Sequence, residues 1–151
     1  MNQKSFNIRV YGLVINSNKE ILVSDEYRMG MLMTKFPGGG LIYGEGTIDC
    51  LKREFIEELN LDICNIRHYY TTDFFQKAYF FESHQLISIY YLVDFVLPNP
   101  LIKTFENKFE FKQLIEGSQN FRWLKILAST NNDMTLPIDK IVCEMLRNEF
   151  L

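Results

Sequence analysis

Residues 36–61 read FPGGGLIYGEGTIDCLKREFIEELNL, and they hold five glycines and four glutamates. Glycines ahead of a helix are a common cradle for phosphate. Carboxylates repel phosphate, so the two halves of the stretch conflict unless a positive charge sits between them. The second half has helical character. Thr47 is the expected N-cap, with Asp49 in the first turn facing the positive end of the helix dipole. The helix is expected to run to about Leu59, and Asn60 then sits where a left-handed C-terminal residue belongs.

On a wheel of about 100° per residue, Ile48, Leu51, Phe55 and Leu59 fall within an arc of about 80°, which is the expected core stripe. Glu54, Glu57 and Glu58 fall within an arc of about 100° beside that stripe rather than opposite it. Like charges at this spacing destabilise an isolated helix by a few tenths of a kcal/mol per pair. A hard divalent cation reverses that sign, because it prefers carboxylate oxygens. Taken alone, such a helix is ordinarily a solvated face, Arg53 with Glu57 an ordinary surface ion pair, and PGGG an ordinary turn.

The rest of the chain frames this stretch. Its 151 residues are close to the commonest size for one domain and are read as a single domain, 1–151. Hydrophobic residues make up 47% and charged residues 23%, which are globular values, and 13 Phe with 8 Tyr point to a sheet-rich core. A net charge of −3 lacks the electrostatic footprint of a general nucleic-acid binder. Cys50, Cys64 and Cys143 show no CxxC spacing, which argues for reduced thiols rather than a disulfide framework or a zinc site. The N-terminus lacks a signal-peptide apolar stretch, and the run ISIYYLVDFVL is too short to span a bilayer. A cytoplasmic protein without membrane association is the expectation.

Along the chain, FNIRVYGLVI, the turn NSNKE and ILVSDEY read as a hairpin, and MLMTKF as a short extended segment stopped by Pro37. After the helix, LDICNIRHYYTTDFF and LISIYYLVDFVL read as strands, Leu101 to Asn120 is ambiguous with a helical turn allowed in KQLIEG, and FRWLKI is a further strand. Pro137 opens a last helix with Ile138, Ile141, Val142, Met145 and Leu146 as its core stripe. The order β-β-β-α-β-β-β-α predicts an α/β (α+β) fold, a mixed sheet with helices on its two faces.

From Gly39 the spacing is G-x5-E-x7-R-E-F-x-E-E-x-N-L, which resembles the Nudix box G-x5-E-x7-R-E-U-x-E-E-x-G-U, U being bulky and aliphatic. Gly39, Glu45, Arg53, Glu54, Glu57 and Glu58 match its fixed positions. At roughly 7% usage per residue type, such a match arises by chance on the order of once in ten million start positions. Two positions depart: Phe55 replaces an aliphatic residue, and Asn60 replaces the final glycine, a change that tolerates the left-handed turn.

The resemblance implies the Nudix α/β/α sandwich and a divalent-metal-dependent hydrolase. Its bond would be a phosphoanhydride in a nucleoside diphosphate linked to another moiety, as in a nucleotide sugar, a nucleoside triphosphate or a dinucleotide. It implies Mg²⁺, or Mn²⁺, held by Glu57 and Glu58, with Glu54 as third ligand or as the base that activates water. It assigns Arg53 to orienting these glutamates and Glu45 to tying loop to helix, with Gly38, Gly39 and Gly40 letting the backbone bend. Many relatives use one further glutamate after the box. Glu106, Glu110 and Glu116 are the candidates, with Glu116 favoured for its Gly/Ser/Asn surroundings shortly before Trp123.

Phe74, Phe75, Tyr79 and Phe80 supply a base-stacking platform, core, or the surface of a homodimer. The alternative function is a catalytically weak module that binds a nucleotide sugar and regulates transcription; the intact box glutamates argue against it.

Overall fold

Residues 3–151 are described by a computed structural model. They form two compact units, one of residues 3–13 and 37–98, the other of residues 14–36 and 99–151.

In the first unit, β1 (Ser5–Leu13), β4 (Gly38–Gly40), β5 (Ile63–Thr71) and β6 (His84–Phe95) build a mixed sheet in the order β4-β1-β6-β5. β1 runs parallel to β6, from Ser5 opposite His84 to Leu13 opposite Leu92, and antiparallel to β4, with Arg9 opposite Gly40 and Tyr11 opposite Gly38. α1 (Thr47–Leu59) packs on β1, β4 and β5. Its core residues are Cys50, Leu51 and Phe55. Phe55 lies against Phe95 with ring centroids 6.1 Å apart, and Gly12 makes room for it, since a Cβ there would come within 2.6 Å of the ring. The departure from an aliphatic residue at position 55 is thus matched by a glycine on β1.

The α1 termini differ in how far sequence anticipated them. Asn60 adopts the left-handed conformation, φ 54°, and its N–H donates to Ile56 O, as expected. The N-cap is Gly46, not Thr47, and it offers no side-chain bond. Thr47 is already helical, and its hydroxyl is shared with Tyr91 Oη at 2.7 Å. The apolar stripe is also rotated from its expected position: Ile48 is exposed, Leu59 half-buried, and Cys50 fully buried.

In the second unit, β3 (Met31–Lys35), β2 (Glu20–Arg28) and β7 (Gln119–Lys125) form an antiparallel sheet in that order, and α2 (Pro137–Phe150) buries Ile138, Val142 and Leu146 as expected, together with Asp139 and Cys143. Midway along β2 the apolar Ile21, Leu22 and Val23 give way to Ser24, Asp25 and Glu26, which are polar and equally buried. Asp25 accepts two bonds from the Arg122 guanidinium at 2.9 and 3.1 Å and one from the Thr34 hydroxyl at 2.7 Å. On the other face Glu26 meets Lys35 Nζ at 3.1 Å and the Ser24 hydroxyl at 2.9 Å. Burial raises the Glu26 pKa, but Lys35 and the hydrogen bonds from Arg28, Ser24 and Lys35 outweigh it and leave the carboxyl below its ordinary value.

The α+β class is as the element order predicts. The strands divide between two sheets rather than joining one, and the β1–β2 hairpin is reduced to an Ile15–Ile21 bridge and the NSNKE turn. The segment KQLIEG forms turns without a helix. Cys50, Cys64 and Cys143 are free thiols, and among the described residues no helix is long and apolar enough to cross a membrane.

Candidate active site at the β4–α1 junction

The expected loop Gly38–Gly40 is a three-residue strand, and its extended geometry positions the site. Gly38 has φ +143°, and a Cβ there would lie 2.8 Å from Tyr11 Cα, so a side chain is excluded twice over. Gly39 faces α1. A Cβ at Gly39 would fall 2.5 Å from Glu54 Cδ, so the Glu54 carboxyl group occupies the space that the glycine leaves. Gly38 N–H also donates to Glu58 Oε2 at 3.2 Å. Two of the three helix glutamates therefore rest directly on the β4 backbone.

Arg53 organises the remainder. Its Nε and Nη2 donate to the two oxygens of Glu45 at 3.0 and 2.8 Å, a bidentate pair. Nη2 also donates to Gly40 O at 3.1 Å, and Nη1 reaches Glu54 Oε1 at 3.1 Å and both Glu57 oxygens at 3.3 Å. One guanidinium thus ties the loop, the strand and two helix carboxylates together. Glu45 Oε1 accepts in addition from Ile42 N–H at 2.9 Å. The hydrogen bonds from Arg53, and then that from Ile42, lower the Glu45 pKa to about 2. The same pairing with Glu45 raises Arg53 above its already high value.

Cys50 belongs to this assembly although sequence gave it no role. Its thiol donates to Gly40 O at 3.5 Å and accepts from Arg53 Nη2 at 3.7 Å. Burial, followed by the neighbouring Glu45, pushes the thiol up to about 12, which keeps it protonated and inert. The signal was present in its spacing: three residues before Arg53, Cys50 shares a helix face with it.

The junction brings together Gly38, Gly39, Gly40, Glu45, Arg53, Glu54, Glu57 and Glu58. Glu116 lies in the other unit, where both its oxygens are 2.9 Å from Met29 N and close the β2–β3 turn. Glu110 accepts from the Asn107 side chain at 2.9 Å. Among the described residues no three His, Cys, Asp or Glu side chains are gathered as metal ligands. The donor set at the junction nonetheless suits a hard divalent cation: carboxylate oxygens from one helix, one of them cradled where a Cβ would otherwise sit.

The NUDIX domain profile matches residues 6–129. No curated protein matches the sequence. Among solved structures, a MutT protein from work on Aliivibrio salmonicida and Vibrio cholerae is 20% identical, with 97% of this chain and 100% of that one covered and a TM-score of 0.65. A MutT protein from Methanosarcina mazei Go1 is 18% identical, with 99% and 98% covered and a TM-score of 0.60. A NUDIX hydrolase from Nitrosomonas europaea is 15% identical, with 96% and 90% covered and a TM-score of 0.62. These likenesses establish the fold.

Proposed function

The chain belongs to the Nudix hydrolase family and is a pyrophosphohydrolase of that type, and from this premise we propose that it cleaves a phosphoanhydride bond in a nucleoside diphosphate linked to another moiety, with Mg²⁺ or Mn²⁺. Nucleotide sugars, nucleoside triphosphates and dinucleotides are the substrate classes. The chain works as one domain in this reading, which a family match running through both units supports. The observation that carries the proposal is the β4–α1 junction, with Glu54 lodged on Gly39, Glu58 on Gly38 N–H, and Arg53 bridging Glu45, Glu54 and Glu57.

Glu54, Glu57 and Glu58 would hold the cation, which when bound offsets the diphosphate charge and acidifies a bound water. Glu54 is the residue proposed to accept the water's proton. Its carboxyl is pinned between the strand backbone and Arg53, and a fixed acceptor needs little reorganisation when the proton moves. Arg53 orients Glu54 and Glu57 while anchored on Glu45, and Glu45 at a pKa of about 2 stays ionised to anchor it.

Incubation with a panel of nucleoside diphosphate derivatives and Mg²⁺, read as monophosphate release, tests the reading. Turnover in the wild type and its loss in Glu57→Gln is the expected result; no turnover on any compound sinks the proposal. Glu116 as the additional catalytic carboxylate is tested by Glu116→Gln, which keeps an acceptor for Met29 N–H. The assignment predicts a far larger loss there than in Glu106→Gln or Glu110→Gln, and equal effects remove it.

A further inference from the structure

Glu45 hangs between two glycines, Gly44 and Gly46, yet its carboxylate meets both Nε and Nη2 of Arg53, at 3.0 and 2.8 Å. Glycine restricts the backbone least of all residues, so the local chain does little to aim this side chain. Gly44 takes φ +99°, and Gly46 is the N-cap of α1 without a side chain to bond. Ile42, Tyr43, Gly44 and Gly46 are all exposed, so little packing holds the loop.

Hydrogen bonds on the two sides of Glu45 take over. On the N-terminal side, Ile42 N–H donates to Glu45 Oε1 at 2.9 Å and Glu45 N–H to Ile42 O at 3.2 Å. Both bonds stay within the loop. On the C-terminal side, the Thr47 hydroxyl shares a 2.7 Å hydrogen bond with Tyr91 Oη. Tyr91 stands within the sheet, on β6 between Gly12 of β1 and His68 of β5. The His68 ring meets it edge-on at 5.9 Å. A phenol so placed presents its hydroxyl in a set position, and it ties the first residue of α1 to strand rather than to more loop. A helix start ordinarily takes its side-chain bond from the N-cap. In α1 the residue after the cap supplies the bond and directs it to the sheet.

We propose that Tyr91 is a positioning residue of the β4–α1 junction: through Thr47 it fixes the start of α1 and with it the Glu45 carboxylate, so that Arg53 is held where it orients Glu54 and Glu57. Its bearing on catalysis rests on the pyrophosphohydrolase reading of the same junction. The contacts are continuous. They run from Tyr91 Oη to Thr47 Oγ1, two residues back to Glu45, and across to Arg53 Nε and Nη2. Arg53 Nη1 then reaches Glu54 Oε1 at 3.1 Å and Glu57 at 3.3 Å.

The test is NMR in EDTA, reading exchange of the Arg53 Nε proton with water in the wild type, Tyr91→Phe, Thr47→Val, their double variant and Thr47→Ser. That proton is donated to Glu45, so it exchanges faster when the pairing loosens. Tyr91→Phe and Thr47→Val should each speed it about three- to tenfold, the scale of one neutral hydrogen bond. The double variant should go no further than either single one, because both remove the same bond. Thr47→Ser keeps the hydroxyl and should stay within about twofold of wild type. Unchanged exchange in both single variants, or additive effects in the double one, overturns the proposal. So does an equal acceleration of the backbone amides of β1 and β6, which would make Tyr91 a general brace of the fold. The two single variants cut the bond from opposite ends, so one that misfolds does not decide the matter. On a turned-over substrate both should lower kcat about three- to tenfold with KM within about twofold, and unchanged kcat in both would count against the positioning role. A wild type that hydrolyses nothing would sink the function, and the Arg53 proton would still decide the tether.

Discussion

Gly39 is the residue at which backbone and chemistry are most tightly coupled, because the absence of its side chain is what admits the Glu54 carboxyl. Gly39→Ala should therefore lower kcat at least about tenfold while α1 stays folded, since losing one positioned catalytic group costs on that scale or more. Unchanged kcat with normal circular dichroism would show that Glu54 does not work from this position. Glu45 makes a separate prediction about pH. Its folded pKa of about 2 lies below the ordinary 4.5, so its contribution to stability is complete above pH 4.5 and is lost as pH falls from there toward 2. In denaturant titrations, Glu45→Gln should be less stable than wild type at pH 7, and the gap should close across that window; a gap that does not change with pH would mean that the Arg53 pairing is not what Glu45 contributes. At this scale sequence reasoning named the glutamates and Arg53, because charge type and spacing are written in the chain. It passed over Cys50, whose spacing from Arg53 was there to read, and it did not see the Asp25–Arg122 pair, because that pair arises from register: Asp25 matters only once Arg122 is on the adjacent strand.

Helix α1 was the most legible element, and its C-terminus shows why. A left-handed residue leaves a signature in residue type, and Asn60 has it, with φ 54° and its N–H on Ile56 O. Asn60→Val should cost about 1–2 kcal/mol in urea unfolding, while Asn60→Gly should lie within a few tenths of wild type. Equal losses for both would point to the Asn side chain rather than the backbone conformation. The start of α1 was misread by one residue because Thr47 is a good cap by type, yet its hydroxyl is engaged by Tyr91 of β6, a contact invisible in local sequence. The hairpin of β1 and β2 failed for a related reason. Their alternation and the NSNKE turn are real, but alternation does not choose partners, and β1 pairs with β4 and β6 while β2 pairs with β3 and β7. On β2 the buried Asp25 has three partners, and removing one member of such a pair typically costs about 3–5 kcal/mol. Asp25→Ala should therefore be among the most destabilising single changes in the second unit, measured by chemical denaturation; a loss under about 1 kcal/mol would mean the pair does little for the fold.

The molecule as a whole carries −3 and concentrates four carboxylates around one arginine at the β4–α1 junction. Arg53 relieves this repulsion at Glu45, Glu54 and Glu57, and Glu58 rests on Gly38 N–H. That arrangement lowers the cost of gathering carboxylates on one helix face, and it separates two quantities that activity alone mixes: holding the carboxylates in place and binding the metal. Thermal unfolding distinguishes them. A cation that binds the folded chain alone stabilises it by about 2.7 kcal/mol at a hundred times its dissociation constant. For a chain of this length that corresponds to a melting point higher by about 5–10 °C. Mn²⁺ or Mg²⁺ should therefore raise the melting temperature of the wild type, EDTA should reverse the rise, and the double variant Glu57→Gln/Glu58→Gln should lose most of it. In EDTA the same variant should melt within a few degrees of wild type, because the relief of like-charge repulsion offsets the weakened pairings of Glu57 with Arg53 and of Glu58 with Gly38 N–H. An equal metal-induced rise in both proteins would assign the cation to other residues, and a double variant that melts well below wild type without metal would make these glutamates part of the scaffold rather than of the binding site.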